Sequence, residues 1–166
     1  MRTAQQWIKR LNLIEHPEGG YYTETYRSPE RIARDHLPVR FGGNRTFSTA
    51  ILFLLPGGEF SALHRIKQDE VWHHYDGAVL SIHVIDPRGA YSTIDLGCDF
   101  EKGQTPQAVV NAGCLFGATV DDQDSFALVG CTAAPGFEFD DLEMPDRGTL
   151  LNQYPQHKAI IEKLTR

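Results

Sequence analysis

Most of this chain consists of short runs rich in Val, Ile, Phe, Tyr and Thr that are interrupted by turn residues. The pattern extends from Tyr21 to about Phe139, and its breaks include Pro56-Gly57-Gly58, Asp76-Gly77 and Asn111-Ala112-Gly113. Short strands at nearly regular spacing, with no long helical period between them, are typical of antiparallel sandwiches and jelly rolls. The pattern therefore predicts an all-β fold, and we expect residues 1–166 to form a single domain.

Both ends of the chain show helical patterns. Thr3 and Gln6 fit a capping box, and apolar residues then recur at helical spacing before the turn cluster His16-Pro17-Glu18-Gly19-Gly20. Towards the other end, Asp146 is a candidate helix cap and Pro155 suits a first helical position. We therefore expect short N- and C-terminal helices around the β-rich part.

Composition argues against several classes of partner. The formal net charge is −6, whereas nucleic acids and anionic membranes attract clustered Lys and Arg. The longest apolar run, residues 50–55, has the length of a strand and not of a membrane span. The first residues lack the apolar core of a secretory signal, and Cys98, Cys114 and Cys131 form no CxxC motif. We therefore expect a cytoplasmic protein with reduced thiols and no nucleic-acid or membrane partner.

The segment from Gly58 to Gly77 carries the candidate chemistry. Side chains alternate in direction along a strand, so His64, Ile66 and Glu70 share a face if the intervening turn keeps the phase. A His and a carboxylate that face each other inside a small barrel form an acid/base pair or half of a metal site. Burial raises the pKa of a carboxyl and a neighbouring imidazolium lowers it, so such a pair holds a proton near neutral pH. We predict that His64 and Glu70 are the catalytic residues of a polar pocket.

The same segment resembles the first cupin motif, Gly-x5-His-x-His-x3-Glu-x6-Gly. His64 and Glu70 match it, whereas Ile66 stands at the position of the second His. The second cupin motif, Pro-x-Gly-x2-His, aligns with Asn111 at its Pro and Phe116 at its His. Of the four side chains that bind metal in metal-dependent cupins, two therefore remain, and two protein ligands rarely hold a transition metal tightly. The resemblance implies a cupin barrel without the usual metal.

Longer stretches resemble one branch of the cupins, the family called domain of unknown function 985 (cupin-5). The resemblance runs in order through nearly the whole chain. It implies a double-stranded β-helix (jelly roll), a homodimer, and similarity to the metal-independent dTDP-sugar 3,5-epimerases. The matching stretches are residues 17–22, 24–28, 48–51, 53–55, 60–61, 64–65, 69–73, 130–132, 134–139 and 154–155.

Further residues are candidates for binding a ligand. Counted from Glu70, alternation places Trp72 and His74 inside the barrel, whereas the resemblance marks His73 as the characteristic residue. Adjacent strand residues face opposite sides, so one of these two histidines at most is expected in the pocket unless a bulge intervenes. Arg45 precedes a strand and is a candidate to reach over the barrel mouth, where a guanidinium suits a carboxylate or phosphate. The alternative for Arg45 is a solvated loop position.

The aromatic residues have two interpretations. Trp72, Tyr75 and Phe116 are candidates for a stacking wall against a ring-shaped ligand, and the alternative is ordinary core packing. Residues 135–140 alternate apolar and acidic side chains, which fits either a closing strand with one solvated face or a rim over the pocket.

Three functional hypotheses remain open. The first is a metal-independent isomerase or epimerase that acts on a small polar, sugar-like or carbonyl ligand and needs no cofactor. In it His64 moves a proton next to a carbonyl and Glu70 orients the imidazole, while Arg45 or Tyr75 stabilises the enolate. The second is a barrel that binds a small molecule without catalysis. The third is a weakly held divalent metal bound by His64, Glu70 and one of the two adjacent histidines.

Overall fold

Two antiparallel β-sheets form most of the fold in the computed structural model, which describes residues 2–166. The strands are β1 (Ile14–Glu15), β2 (Tyr21–Arg27), β3 (Arg31–Ile32), β4 (Arg45–Thr46), β5 (Thr49–Pro56), β6 (Phe60–His64), β7 (Asp69–Gly77), β8 (Leu80–Ile85), β9 (Tyr91–Leu96), β10 (Gln107–Val110), β11 (Leu115–Val120) and β12 (Phe126–Ala134). The larger sheet has the order β1-β2-β5-β12-β7-β10, and the smaller has the order β6-β11-β8-β9. The short strands β3 and β4 pair with each other. The predicted all-β jelly roll is confirmed.

The main core lies between the two sheets. Phe53 of β5, Trp72 of β7 and Val129 of β12 point inward from the larger sheet and are almost completely buried. Ile82 of β8 and Phe116 of β11 meet them from the smaller sheet. These residues alternate with others on the opposite faces of the same strands, as the pleat of a strand requires.

Helix α1 (Ala4–Leu11) covers the outer face of the larger sheet. Its residues Trp7, Ile8 and Leu11 pack against a cluster that includes Leu54 and Leu128, whose side chains point away from the main core. The predicted capping box is confirmed, because the Thr3 side chain accepts from the Gln6 N–H and the Gln6 side chain accepts from the Thr3 N–H.

Helices α2 (Arg147–Gln153) and α3 (Lys158–Lys163) cover the outer face of the smaller sheet. Leu150 and Ile161 pack against Ile85 and Leu115, so every residue of β8 and β11 is buried. The predicted cap at Asp146 is confirmed, since its side chain accepts from the Thr149 N–H. No helix within the described residues is long and apolar enough to cross a bilayer.

The interpretation of residues 135–140 as a closing strand is wrong. Strand β12 ends at Ala134, and a single 3-10 turn follows at Phe139–Asp141. The backbone N–H groups of this segment find loop partners instead of a neighbouring strand: Gly136 donates to the Thr46 carbonyl over 2.8 Å, and Phe137 donates to the Thr49 hydroxyl over 2.9 Å. These bonds fold the segment back across β4 and β5.

Candidate functional site

A cavity of about 300 Å³ lies between β6 of the smaller sheet and the inner face of the larger sheet. It is at the lower end of the size range of small-molecule sites. Its wall combines acid/base side chains with aromatic and aliphatic ones. The lining residues are His16, Glu18, Tyr22, Glu24, Arg27, Thr49, Ile51, Phe53, His64, Ile66, Glu70, Trp72, Cys131, Ala133, Phe137, Glu138, Phe139 and Leu142.

His64 and Glu18 form a buried pair inside this cavity. The Nε2 atom of His64 lies 3.1 Å from Oε2 of Glu18, and both side chains are less than one-tenth exposed. The Nδ1 atom of His64 lies 2.7 Å from the Ala62 carbonyl oxygen. A carbonyl only accepts, so Nδ1 carries a hydrogen, and the close Nε2–Oε2 contact requires a second proton that the two side chains share. The pair is therefore a proton-sharing unit whose imidazole is held in one orientation.

A tight turn brings Glu18 into the interior. Gly19 and Gly20 follow it with φ values of +114° and +70°, which favour glycine. A Cβ on Gly19 would lie 2.3 Å from the Phe60 carbonyl oxygen, so the chain can approach β6 this closely only with glycine at this position. The Glu18 carbonyl also accepts from the Ala62 N–H over 2.8 Å, which fixes the turn to the strand that carries His64.

Two neighbours complete the surroundings of Glu18. The Ser61 hydroxyl donates to Glu18 Oε1 over 2.9 Å, so both carboxyl oxygens have partners. His16 Nδ1 lies 3.4 Å from both the Glu18 N–H nitrogen and Oε2. Burial lowers the pKa of His16, and the nearby His64 adds to this effect, although the Glu18 charge opposes it. His16 is therefore neutral at pH 7 and accepts the Glu18 N–H.

Glu70 faces the same cavity from β7. Burial raises its pKa to about 8, and the charge of Glu18 contributes to the increase. The indole N–H of Trp72 lies close to the Glu70 carboxyl and lowers its pKa in part. Its geometry within residues 2–166 is not that of a standard hydrogen bond. Glu70 is therefore mainly a neutral carboxylic acid at pH 7, so it is available as a hydrogen-bond donor.

Replacing Glu70 by glutamine should change the pH dependence of stability. Glu70 has a higher pKa in the folded state than the ordinary value of 4.5, so the folded wild type loses stability as the pH rises from about 5 to 8. The amide of E70Q does not ionise. The free energy of unfolding of E70Q minus that of the wild type should therefore increase by up to about 1.4 kcal/mol per pH unit over this range. Urea unfolding at several pH values measures this difference in free energy. A difference that stays constant from pH 5 to 8.5 would show that Glu70 is not a neutral acid in the folded protein.

The structure brings the two predicted catalytic residues into one cavity without joining them. His64 ends β6 and Glu70 lies on β7, and these strands belong to different sheets that face each other. The expected contact between them is therefore replaced by the contact of His64 with Glu18. Glu18 was missed because its place in a Pro- and Gly-rich turn gives no signal of burial.

Two of the predicted aromatic residues lie at the site. Trp72 lines the cavity and is only 2% exposed. Phe116 is not among the lining residues, but its ring packs against the imidazole of His64 with 4.1 Å between centroids. Phe116 is paired with His64 in the β6–β11 register, so it supports the imidazole from the neighbouring strand.

Neither His73 nor His74 lines the cavity, and Tyr75 does not either, so their expected positions are corrected. His73 lies on the outer side of β7, where its Nδ1 is 3.2 Å from Gln107 Nε2. His74 lies beyond the cavity, with Nε2 3.0 Å from the Ala78 carbonyl oxygen. Tyr75 lies on the same outer side as His73, as alternation from Glu70 requires; the two rings stack with 6.4 Å between centroids, and Tyr75 is 55% exposed.

Arg45 also differs from its expected position at the barrel mouth. It is 4% exposed, and its Nε atom donates to Asp141 Oδ2 over 2.7 Å while Nη2 donates to Oδ1. Its Nη1 donates to the Asn44 carbonyl. A buried guanidinium requires such a partner, and Asp141 on the turn after β12 provides it. Arg45 is therefore a structural ion-pair residue and is not part of the cavity wall.

The donor set of the cavity does not fit the metal site of metal-dependent cupins. Ile66, which stands at the position of the second motif His, lines the cavity with an aliphatic side chain, and Phe116 stands at the last His. His73 and His74 lie outside the cavity and do not complete a set with His64. Over residues 2–166, no group of three or more His, Cys, Asp or Glu side chains is arranged to hold a metal ion.

Two antiparallel sheets in a jelly roll around one enclosed site are the architecture of a cupin. The chain belongs to the family described as Cupin superfamily (DUF985), whose model matches residues 5–145. This confirms the resemblance drawn from the cupin motifs.

Known proteins with sequence or structural similarity support this assignment. The uncharacterized protein YML079W of Saccharomyces cerevisiae is 31% identical over 84% of this chain and 73% of its own length. Protein SO0799 from Shewanella oneidensis is 43% identical, with a TM-score of 0.89 over 100% of this chain and 99% of that chain. A Leishmania major protein is 36% identical, with a TM-score of 0.90 over 99% of both chains. Bacillus subtilis oxalate decarboxylase shares the fold alone, at 13% identity and a TM-score of 0.55 over 90% of this chain and 36% of that chain.

Proposed function

We propose that this cupin is an isomerase or epimerase that moves a proton at the carbon next to a carbonyl group of a small ligand, without a metal. The observation that carries the proposal is the presence of two separate acid/base units in one cavity, the Glu18–His64 pair and the neutral Glu70. Titratable groups whose environments differ in this way are characteristic of sites that use one group as base and another as acid.

In the proposed reaction, the Glu18 carboxylate accepts the proton from the carbon, because both ring nitrogens of His64 already have partners, and the proton shared by the pair stays on the imidazole. The electron pair of the broken C–H bond moves onto the carbonyl oxygen and forms an enolate. The carboxylic acid of Glu70 and the indole N–H of Trp72 donate hydrogen bonds to that oxygen, which stabilises its developing charge. Return of the proton to the other face or to the neighbouring carbon gives the isomer. His64 thus holds the Glu18 carboxylate in place and balances its charge, a different part from the one that the sequence suggests for it.

The test is exchange of substrate hydrogen for solvent deuterium, followed by NMR over a panel of small ketones and keto sugars that includes dTDP-4-keto sugars. Wild-type protein should catalyse exchange at the carbon next to the carbonyl of at least one compound, and the His64→Ala variant should not. If no compound exchanges faster with the wild type than with H64A, the proposed reaction is wrong.

A binding function without catalysis is the second candidate, and the apolar part of the cavity wall favours it. Phe53, Ile51 and Leu142 offer contacts that need no reaction. The same panel separates the two, because a ligand that binds tightly and is recovered without deuterium supports binding alone. The cytoplasmic location and the homodimer expected from the sequence stay predictions.

A further inference from the structure

The mouth of the cavity contains one arginine, Arg27, whose charge is already paired with two neighbouring carboxylates. Arg27 Nε and Nη2 donate to the two carboxylate oxygens of Glu24 over 3.0 and 2.8 Å. Its Nη1 donates to Glu138 Oε1 over 2.9 Å, and Nη2 also donates to the Phe137 carbonyl over 3.1 Å. All three guanidinium nitrogens therefore have acceptors from the protein, which together use four of the five N–H groups of Arg27.

The charges around the cavity add up to an unfavourable environment for an anion. Arg27 is the one Lys or Arg among the described residues that line the cavity, and the carboxylates of Glu24 and Glu138 outnumber it. The Glu18–His64 pair shares one proton, so it contributes no net charge. A phosphate or carboxylate that entered would lose its hydration and gain no unpaired cation in return, which is a large cost in a mostly enclosed site.

The interior instead offers apolar rings and one unused donor. Phe137 and Phe139 pack edge to face with 5.3 Å between centroids, and the His16 ring lies 6.0 Å from that of Phe139. The indole Nε1 of Trp72 is buried and makes no hydrogen bond of standard geometry in the described part of the chain, although it lies close enough to Glu70 to lower the pKa of that carboxyl. A buried N–H normally has an acceptor, and a ligand oxygen in the cavity would supply one. An ammonium group has no lone pair to offer, so it would leave this donor without an acceptor.

We propose that the substrate of this cavity is an uncharged carbonyl compound with a compact apolar body, whose carbonyl oxygen accepts from the Trp72 indole N–H. The proposal rests on the function proposed above and narrows its substrate class. It disfavours phosphorylated or nucleotide-linked sugars, whose charge would face the carboxylates of Glu24 and Glu138.

Three ligands that share a six-membered carbon ring and differ in charge test the proposal. Protein labelled with 15N-tryptophan gives one indole N–H signal for each of its two tryptophans. Cyclohexanone should shift the Trp72 signal saturably and leave that of Trp7 unchanged, because the Trp7 indole N–H is bound to Asp76 over 2.9 Å outside the cavity. Cyclohexanecarboxylate and cyclohexyl phosphate should bind at least tenfold more weakly than the ketone.

The variant Glu24→Gln/Glu138→Gln provides a gain-of-binding control. It removes both carboxylates from Arg27 and keeps their size, so the affinity for cyclohexanecarboxylate should increase at least tenfold. Equal or tighter binding of the anion by the wild type, or no Trp72 shift with the ketone, would overturn the proposed substrate class. If ketones bind selectively but no compound of the panel exchanges deuterium, the proposed reaction is wrong, and uncharged carbonyl compounds are ligands of the cavity and not its substrates.

Discussion

Replacing Glu18 by glutamine is expected to slow deuterium exchange into a wild-type substrate by about 10²–10⁴-fold, the usual contribution of general acid–base catalysis. The reason is the 3.1 Å contact between Glu18 Oε2 and His64 Nε2, which depends on a shared proton. A glutamine amide neither takes up nor releases a proton near neutral pH. The E18Q variant therefore keeps the shape of the site and loses the group that completes the proposed base.

The measurement should separate catalysis from binding and folding. Ligand binding, followed by the Trp72 indole signal, should stay within a few-fold of the wild type in E18Q, because Glu18 is not placed against the carbonyl oxygen. Glu15→Gln is a matched control, since it makes the same change on an exposed residue of β1 just before the turn. Exchange by E18Q at the wild-type rate would show that the Glu18–His64 pair is not the base. A slow E15Q variant would show that the loss is not specific to the pair.

The sequence predicts those residues of the site that lie on regular strands. The spacing of His64 and Glu70 resembles the cupin motif, and both side chains line one cavity in the structure. Alternation from Glu70 also placed Trp72 inward correctly, because β7 pairs regularly with β10 and β12 around that position. Local periodicity suffices where a strand has no irregularity.

The rest of the site depends on long-range packing and on irregular backbone. The contact between Glu18 and His64 exists because the turn after β1 docks onto β6, and no local pattern reports such docking. Alternation from Glu70 predicts that His74 points inward, but at His74 strand β7 has already passed the end of the cavity. Tyr75 lies outside because the same alternation from Glu70 puts it on the outer face of β7, beside His73.

The ion pair of Arg45 illustrates the same limit and has a consequence for the cavity. Its partner Asp141 ends the turn Phe139–Asp141, and the Asp141 carboxylate also accepts from Gln68 Nε2 over 2.7 Å. Gln68 in turn donates to the Gly136 carbonyl over 3.2 Å. The network therefore fixes the segment that forms one wall of the cavity to the connection between β6 and β7.

Replacing Asp141 by alanine is expected to lower the free energy of unfolding by about 3–5 kcal/mol, because it leaves the guanidinium of Arg45 buried without its partner. The side chains of Arg45 and Asp141 are 5% and 0% exposed. Burial by itself raises the pKa of Asp141, but the hydrogen bonds from Arg45 and Gln68, with the charges of Arg45 and Lys67, bring it below the ordinary value. The carboxylate is therefore ionised at pH 7, and its contribution to stability is present there and lost as the pH falls through that lowered pKa.

Urea unfolding at pH 7 measures this loss, and Asp140→Ala is the matched control. Asp140 is the exposed neighbour on the same turn, and its replacement should change the free energy of unfolding by less than about 0.5 kcal/mol. If D141A stays within about 1 kcal/mol of the wild type, Arg45 must find another partner or reach solvent. A large loss in D141A, with D140A unchanged, would show that the Arg45–Asp141 pair stabilises the segment on which the cavity wall is built.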